Sequence, residues 1–388
     1  MEHFFAPCPR GLEIVLEREL ADLGALHIEP LDGGIRFAGE FELCYSVNLE
    51  SRVASRVLWQ VCDTAYGSER DVYEAAQALA WHEWFTVDRS IRVNVSATRA
   101  PVKSLEFLTL RIKDAVCDAF RAREGSRPDV DTRTPDVRIH AFLTASRLML
   151  YLDTSGEPLF KRGYRRATGE APLRENLAAG ILKLAGWSPD NALLDPMCGS
   201  GTFLCEAALI ATDRAPGLDR AFGFEKLSMH DADAWRTLKN AARDRIRKPE
   251  RLDIHGSDRY GDALKLARTN LAALDIERCV TLKQADVLEM PAPASSGTIV
   301  TNPPYGVRLQ DQEALAGLYP KLGDALKKKF AGWTAYILTA DLRLAKLIGL
   351  SPSRRTPLFN GALECRLFEF RIVSGSMRRD QRVGRKPE

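Results

Sequence analysis

The 388-residue chain lacks the sequence patterns of several common protein classes. It has no apolar run of about eighteen residues, the length needed to cross a bilayer, so we expect no membrane span. Its first residues, Met1 to Phe5, lack the charged region that opens a signal peptide. Its eight cysteines form no Cys-x-x-Cys pair and have no histidine at zinc-ligand spacing, which predicts reduced thiols and no metal. We therefore expect a cytoplasmic protein.

An excess of charge of one sign is also nearly absent, since the chain has 55 lysines and arginines and 52 aspartates and glutamates. The net charge of +3 is too small to indicate nucleic-acid binding, so the distribution of the cations matters more. One cluster near the middle of the chain combines cations for phosphates with a tyrosine that can stack on a base. The sequence predicts RNA contact by Lys161, Arg162, Tyr164, Arg165 and Arg166.

The most specific motif is Asn302-Pro303-Pro304-Tyr305, which follows the apolar, strand-like run 298–301. The prolines fix φ and remove two backbone donors, so this turn presents hydrogen-bond acceptors. An exocyclic amine can donate to the Asn302 side-chain oxygen and to the Pro303 carbonyl, while its base stacks on Tyr305. An isolated match of this kind can equally be an ordinary turn, because Asn and Pro are common turn formers. The motif recognises an amine and does not separate guanine N2 from adenine N6.

A glycine turn well upstream favours the amine-binding interpretation of Asn-Pro-Pro-Tyr over that of an ordinary turn. The strand-like residues 192–195 lead through Gly199 and Gly201 into a helical pattern from Thr202. Glycine allows positive φ and close approach of a ligand, and free amides at the helix start favour an anionic group. The third glycine of the dinucleotide fingerprint and the lysine of the phosphate loop are both missing. Cys198 is expected to pack against the cofactor and not to act as a nucleophile. The predicted cofactor residues here are Asp195, Pro196, Cys198, Gly199, Gly201, Thr202 and Phe203.

Two later strand-like segments each end in an acid, Asp258 and Asp286, the second followed by Val287. In a doubly wound parallel sheet such strand ends line the ligand crevice. Asp258 would accept hydrogen bonds from ribose hydroxyls and Asp286 from an adenine amine, and Val287 is assigned to the same site. Either acid alone is more often a helix cap or a loop residue. The order of glycine turn, acid, acid and Asn-Pro-Pro-Tyr favours a cofactor-dependent amino methyltransferase, with Asn302 also touching the cofactor.

With these motifs the chain resembles the S-adenosylmethionine-dependent amino methyltransferases that carry an N-terminal THUMP RNA-binding module, in particular the bacterial 23S ribosomal RNA guanine-N2 methyltransferases. The residues on motif positions of that family are Asp195, Gly199, Gly201, Thr202, Asp258, Asp286, Asn302 and Tyr305. Further resemblance lies in residues 6–13, 161–165, 171–179 and 360–367. The separation in sequence between Asp195 and Asp258 is longer than is usual between a glycine loop and the next strand-end acid, and residues 213–250 look like an inserted helical segment.

The resemblance implies an α/β fold, in which a Rossmann-like class I methyltransferase domain with a seven-stranded doubly wound sheet follows small α+β ferredoxin-like and THUMP domains. The expected boundaries are 1–44 for the ferredoxin-like segment, 45–154 for THUMP, 155–175 for a basic linker, 176–373 for the methyltransferase domain and 374–388 for a disordered tail. Apolar periodicity predicts a helix over 11–23 and sheet strands at 193–195, 254–258, 280–284, 299–301 and 333–339.

The resemblance also implies an enzyme that transfers a methyl group from S-adenosylmethionine to N2 of a guanine in 23S rRNA, with the base flipped into the Asn-Pro-Pro-Tyr pocket. Three alternatives stay open: guanine N2 of transfer RNA, adenine N6 of DNA, and a non-enzymatic RNA-binding assembly factor with a vestigial cofactor fold. The THUMP-like half argues against DNA. A vestigial site is opposed by the intact residues Gly199, Gly201, Asp258 and Asn302.

Overall fold

The computed structural model of the chain describes residues 1–166, 173–303 and 309–373, with the backbone alone over 309–315. These residues form two compact units, and each is assembled from separate stretches of sequence. The first unit holds 1–163, 174–180 and 212–247, and the second holds 164–166, 173, 181–211 and the described residues from 248 on. The predicted disordered tail, 374–388, lies outside the described residues. No helix in the described part of the chain has the length and apolar character needed to span a membrane.

The elements are numbered along the chain. The strands are β1 (Glu2–Pro7), β2 (Leu26–Leu31), β3 (Gly34–Gly39), β4 (Leu58–Ala65), β5 (Ile91–Ala97), β6 (Val137–Leu143), β7 (Arg147–Asp153), β8 (Leu193–Asp195), β9 (Ile254–Asp258), β10 (Thr281–Gln284), β11 (Gly297–Thr301), β12 (Trp333–Thr339), β13 (Arg354–Asn360) and β14 (Leu363–Arg371). The helices are α1 (Glu13–Asp22), α2 (Leu43–Glu50), α3 (Glu69–Gln77), α4 (Trp81–Trp84), α5 (Leu105–Glu124), α6 (Glu175–Leu184), α7 (Thr202–Ala211), α8 (Ala232–Asp244), α9 (Gly261–Ala272), α10 (Leu309–Lys329) and α11 (Leu344–Leu347).

The first unit is built on a mixed seven-stranded sheet in the order β2-β3-β1-β4-β7-β6-β5. Strands β5 and β6 pair in parallel, and β7 returns antiparallel to β6. Alternate residues of β6 are buried, as expected for a strand with one face on a core. Helix α5 begins at the Ser104 cap, whose side chain accepts from the Phe107 amide, and ends at Gly125 in the left-handed conformation.

The inserted segment predicted at 213–250 folds largely into this first unit. Its helix α8 buries Trp235, whose ring meets Phe224 edge to face at 5.1 Å. Phe222 stacks on Phe224 at 5.3 Å, and Tyr45 of α2 lies 4.4 Å from the same ring. Aromatic pairs of this kind each contribute about 0.5–1.5 kcal/mol beyond the area they bury. The segment is therefore part of the core of the first unit, although it interrupts the sequence of the second.

The second unit carries the expected seven-stranded sheet, in the order β10-β9-β8-β11-β12-β14-β13. The five strands from β10 to β12 run parallel, and β14 is antiparallel to both of its neighbours. From β8 the chain steps outward to β9 and β10 on one side and to β11 and β12 on the other. Such a reversal opens a crevice at the carboxyl ends of the two central strands. The prediction of a doubly wound sheet is confirmed, and it places the site at that edge.

Candidate active site

The predicted strand-end residues lie at one edge of the second sheet. Asp195 ends β8 and pairs in register with Gly256 of β9, while Asp258 ends β9 opposite Gln284 of β10. Strand β11, which ends one residue before Asn302, runs parallel to β8 on its other side. The carboxyl ends of parallel neighbours meet at the same edge of a sheet, so the fold brings these separate motifs together.

The glycine turn is tied directly to the end of β9. The Gly199 amide donates to Asp258 Oδ2 at 3.0 Å, and the Tyr260 amide donates to Asp258 Oδ1 at 2.9 Å. Gly199 has φ 51°, and a Cβ built on it would meet no heavy atom within 4 Å, so there is open space on this side of the turn. The Asp258 carboxylate, which is 8% exposed, thus holds the turn and keeps unused lone pairs for a ligand.

The second glycine of the turn is held closely against helix α9. Gly201 has φ 78°, and a Cβ there would lie 3.1 Å from the Ala267 Cβ. Its amide donates to the Cys198 carbonyl at 2.8 Å, which closes the turn just before α7 begins at Thr202. Both glycines therefore adopt the positive φ that the sequence predicts, and at Gly201 the close approach also excludes a side chain.

Cys198 is buried in the turn, and its amide donates to the Ser257 carbonyl at 2.9 Å. Burial raises the pKa of the Cys198 thiol well above its usual range, and the nearby Asp195 and Asp258 carboxyls act in the same direction. A neutral, buried thiol is a poor nucleophile. The predicted cofactor residues Pro196 and Phe203 are also buried.

Asp195 is the most perturbed acid of the site. Burial raises its pKa to about 7, the Asp258 charge adds to the rise, and the nearby Thr301 hydroxyl and the Met197 amide partly offset it. The Met197 amide lies 3.2 Å from Asp195 Oδ1. A positive group bound nearby favours the charged form of such a carboxyl. The free site thus carries an acid that titrates near neutrality.

The remaining strand-end residues differ in exposure. Asp286 is half-buried and accepts from the Leu288 amide at 2.9 Å, whereas Val287 is 5% exposed and belongs to the apolar core. Asn302 is half-buried and Pro303 is buried. The catalytic predictions for Pro304 and Tyr305 lie outside the described residues.

Part of the predicted RNA cluster instead contacts helix α7, which follows the glycine turn. The Tyr164 hydroxyl donates to Glu206 Oε1 of α7 at 2.9 Å, and Arg165 Nη2 donates to the Thr202 hydroxyl at 3.2 Å. Tyr164 is 2% exposed, which speaks against stacking on RNA. Arg162, in the first unit, is 7% exposed and donates to the carbonyls of Leu159 and Arg52. Of the five residues, Lys161 and Arg166 are exposed to solvent.

Asn270 of α9 was missed by sequence reasoning. It is 2% exposed, its Nδ2 donates to the Ser200 carbonyl at 2.9 Å, and its Oδ1 accepts from the Arg166 amide at 2.9 Å. The side chain therefore joins the glycine turn to the segment 164–166. A signal existed in the sequence, because Asn270 is a polar residue on the buried face of α9, which otherwise presents Leu264, Ala267 and Leu271.

Among the described residues, no group of three or more His, Cys, Asp or Glu side chains is arranged to hold a metal ion.

A protein-family model described as "RMKL-like, methyltransferase domain" matches residues 162–369, which include all of these strand ends and the glycine turn. The chain belongs to this methyltransferase family. A THUMP domain model matches residues 66–153 of the same methyltransferase chain, and an RlmL ferredoxin-like domain model matches residues 3–58. The family resemblance and the fold class inferred from the sequence are thereby confirmed.

Individual relatives agree. The chain is 39% identical to the ribosomal RNA large subunit methyltransferase K/L of Aeromonas hydrophila, over 99% of this chain and 56% of that protein. It is 35% identical to slr0064 of Synechocystis, provisionally named an RNA methyltransferase, over 95% and 96% of the two chains. The crystal structure of SMU.472, a provisionally named methyltransferase in complex with SAH, superposes with a TM-score of 0.88 at 29% identity, covering 97% of this chain and 99% of the other. The chain spans about half the length of the K/L relatives.

Proposed function

We propose that this chain is an RNA methyltransferase that uses S-adenosylmethionine to methylate N2 of a guanine in 23S rRNA. The observation that carries the proposal is the meeting of the Asp258-held glycine turn with Asn302-Pro303 at the ends of adjacent parallel strands. Family membership supports the reaction class, and the THUMP match and the names of the K/L relatives support an RNA substrate in a cytoplasmic setting.

The residues at this edge fit S-adenosylmethionine. The open space beside Gly199 admits a ligand against the backbone, and the Asp258 carboxylate has lone pairs for ribose hydroxyls. Asp286 follows the next strand outward, where its carboxylate would accept from an adenine amine. The amide-rich start of α7 at Thr202 suits the carboxylate end of the molecule. Asp195, once charged, would face its ammonium and sulfonium groups.

Bound S-adenosylmethionine supplies an electrophilic methyl group on a positively charged sulfur. The Asn302 side-chain oxygen and the Pro303 carbonyl would accept the two hydrogens of the exocyclic amine, which directs the nitrogen lone pair at that methyl group. Both acceptors favour the positive charge that develops on nitrogen, so no strong base is required before the proton leaves to water. In this proposal the flipped base also stacks on Tyr305.

The test is transfer of labelled methyl from S-adenosylmethionine to unmodified 23S rRNA, total transfer RNA and duplex DNA in parallel, followed by nucleoside analysis of each product. We expect N2-methylguanosine in 23S rRNA alone. Label in transfer RNA would support the proposed reaction but with a different RNA as substrate. N6-methyladenosine in DNA would overturn both the proposed substrate and the proposed base. Cofactor binding without label in any of the three would indicate a missing partner, a precursor particle as substrate or a binding role, whereas absence of cofactor binding would favour the assembly-factor alternative.

A further inference from the structure

Arg165 brings a positive charge to the first residue of helix α7. Its guanidinium nitrogen Nη2 donates to the Thr202 hydroxyl at 3.2 Å and to the Leu173 carbonyl at 2.7 Å. Both of these acceptors are uncharged, so neither contact alters the charge of the guanidinium. Arg165 and the turn residues Gly199 and Ser200 are half-buried, which leaves part of this place open to solvent. The fold thus puts a cation next to the backbone amides of the turn and of the helix start.

The two neighbours of Arg165 in sequence fix its main chain in the second unit. On one side, the Tyr164 hydroxyl donates to Glu206 Oε1 of α7 at 2.9 Å, and Tyr164 is 2% exposed. On the other side, the Arg166 amide donates to Asn270 Oδ1 at 2.9 Å, and the same Asn270 side chain donates to the glycine turn. A ligand that binds through Arg165 therefore has little ordering of this segment to bring about, which favours affinity.

Two acids beside the turn give the cation a reason to be there. Asp195 ends β8 and accepts from the Met197 amide, while Asp258 ends β9 and accepts from the Gly199 amide. S-Adenosylmethionine has an ammonium and a sulfonium group, which charged carboxylates attract, and one carboxylate, which they repel. A helix start offers only about half a positive unit charge to that carboxylate. A full cation beside Thr202 would balance it.

We propose that Arg165 binds the carboxylate of S-adenosylmethionine at the start of α7. The inference rests on the proposed function, in which S-adenosylmethionine is the methyl donor, and it replaces the RNA contact expected for Arg165 from the sequence. An arginine can bind a carboxylate through two parallel N–H groups, and such charge-assisted hydrogen bonds are about twice as strong as neutral ones. The cofactor carboxylate would therefore replace or share the 3.2 Å contact of Arg165 with the Thr202 hydroxyl.

The test compares two ligands that differ only in the carboxylate, S-adenosylmethionine and decarboxylated S-adenosylmethionine. Their dissociation constants are measured by isothermal titration calorimetry in the absence of RNA. Arg165→Gln should weaken binding of S-adenosylmethionine by about 10- to 100-fold, the range for a hydrogen bond between charged groups. The same variant should bind the decarboxylated ligand as tightly as the wild type or more tightly, because the substitution removes a positive charge near a positively charged ligand.

The matched control is Arg166→Gln, which removes the same charge one residue further along the chain. The Arg166 side chain is exposed, and the substitution keeps the main-chain amide that donates to Asn270. This variant should keep both dissociation constants within about two-fold of the wild type. Arg165→Lys keeps the charge without the two parallel N–H groups, so it should recover part of the affinity for S-adenosylmethionine. Melting temperatures equal to that of the wild type would show that the variants are folded.

Wild-type protein provides a check that needs no substitution. It should bind S-adenosylmethionine about 10-fold or more tightly than the decarboxylated ligand, and equal affinities would overturn the inference. Equal weakening of both ligands in Arg165→Gln would also overturn it, since Arg165 would then act only on the shape of the turn. Unchanged affinity for S-adenosylmethionine with weaker binding of RNA would assign Arg165 to RNA instead.

The proposed function can fail separately from this inference. If the expected difference between the ligands is found but no N2-methylguanosine forms in 23S rRNA, the proposed substrate is wrong and the role of Arg165 stands. If wild-type protein binds neither ligand, the methyl donor of the proposed function and this inference are both wrong.

Discussion

Replacing Asp195 by Asn should stabilise the cofactor-free protein at neutral and alkaline pH. Asp195 is 2% exposed, and its pKa is raised from 3.8 to about 7, chiefly by burial. The folded protein therefore holds this proton more tightly than the unfolded chain does. The contribution of protonated Asp195 to the free energy of unfolding is fully present below about pH 4 and is lost progressively as pH rises towards 7. This direction is opposite to that of an ordinary salt-bridged aspartate.

The magnitude follows from the two pKa values. The difference between 3.8 and about 7 corresponds to a loss on the order of 4 kcal/mol above pH 7, at about 1.36 kcal/mol per pH unit. In the wild type the Met197 amide nitrogen lies 3.2 Å from Asp195 Oδ1. An Asn side chain keeps an oxygen that can accept from this amide, so the substitution removes only the negative charge. The variant should thus match the wild type near pH 4 and exceed it by up to that amount at pH 8.

The assay is urea unfolding of wild-type and Asp195→Asn protein without cofactor across about pH 4 to 8, with the exposed Asp190→Asn as control. The control should leave the pH profile unchanged. An Asp195→Asn profile parallel to the wild type, or a less stable variant at pH 8, would refute the reasoning. We also expect weaker binding of S-adenosylmethionine, because the variant cannot carry the negative charge that would face the cofactor.

Three further predictions concern the same edge of the sheet. Asn302→Ala should lower kcat by about 100-fold with cofactor affinity nearly unchanged, as for the loss of one transition-state contact, and near-normal turnover in a steady-state assay would contradict the mechanism. Asn270→Ala should raise KM for S-adenosylmethionine more than it lowers kcat, since it releases the glycine turn; an effect on kcat alone would assign it another role. Gly201→Ala should destabilise the protein by about 1 kcal/mol more than Gly125→Ala in thermal unfolding, because both have positive φ but only the first meets Ala267 at 3.1 Å.

Much of the second unit was predictable because its strands are local signals. The short runs ending at Asp195 and Thr301 are mostly apolar and lead into the glycine turn and Asn-Pro, the short run ending at Asp258 closes on an acid, and each forms a strand where expected. Strands β1 and β2 were not predicted. Most residues of β2 are exposed, so its sequence has no alternation of apolar and polar residues for a periodicity argument to find.

The sequence by itself determined which residues lie at the sheet edge, because the glycine turn, the two acids and Asn302 each follow a strand-like segment. Only the tertiary structure decided how the predicted basic linker is divided between the two units, with the first stretch of the first unit ending at residue 163. It buried Tyr164 against Glu206, brought Asn270 to the glycine turn and placed Arg165 beside Thr202. These contacts join residues far apart in sequence, and local patterns carry no information on which segments meet.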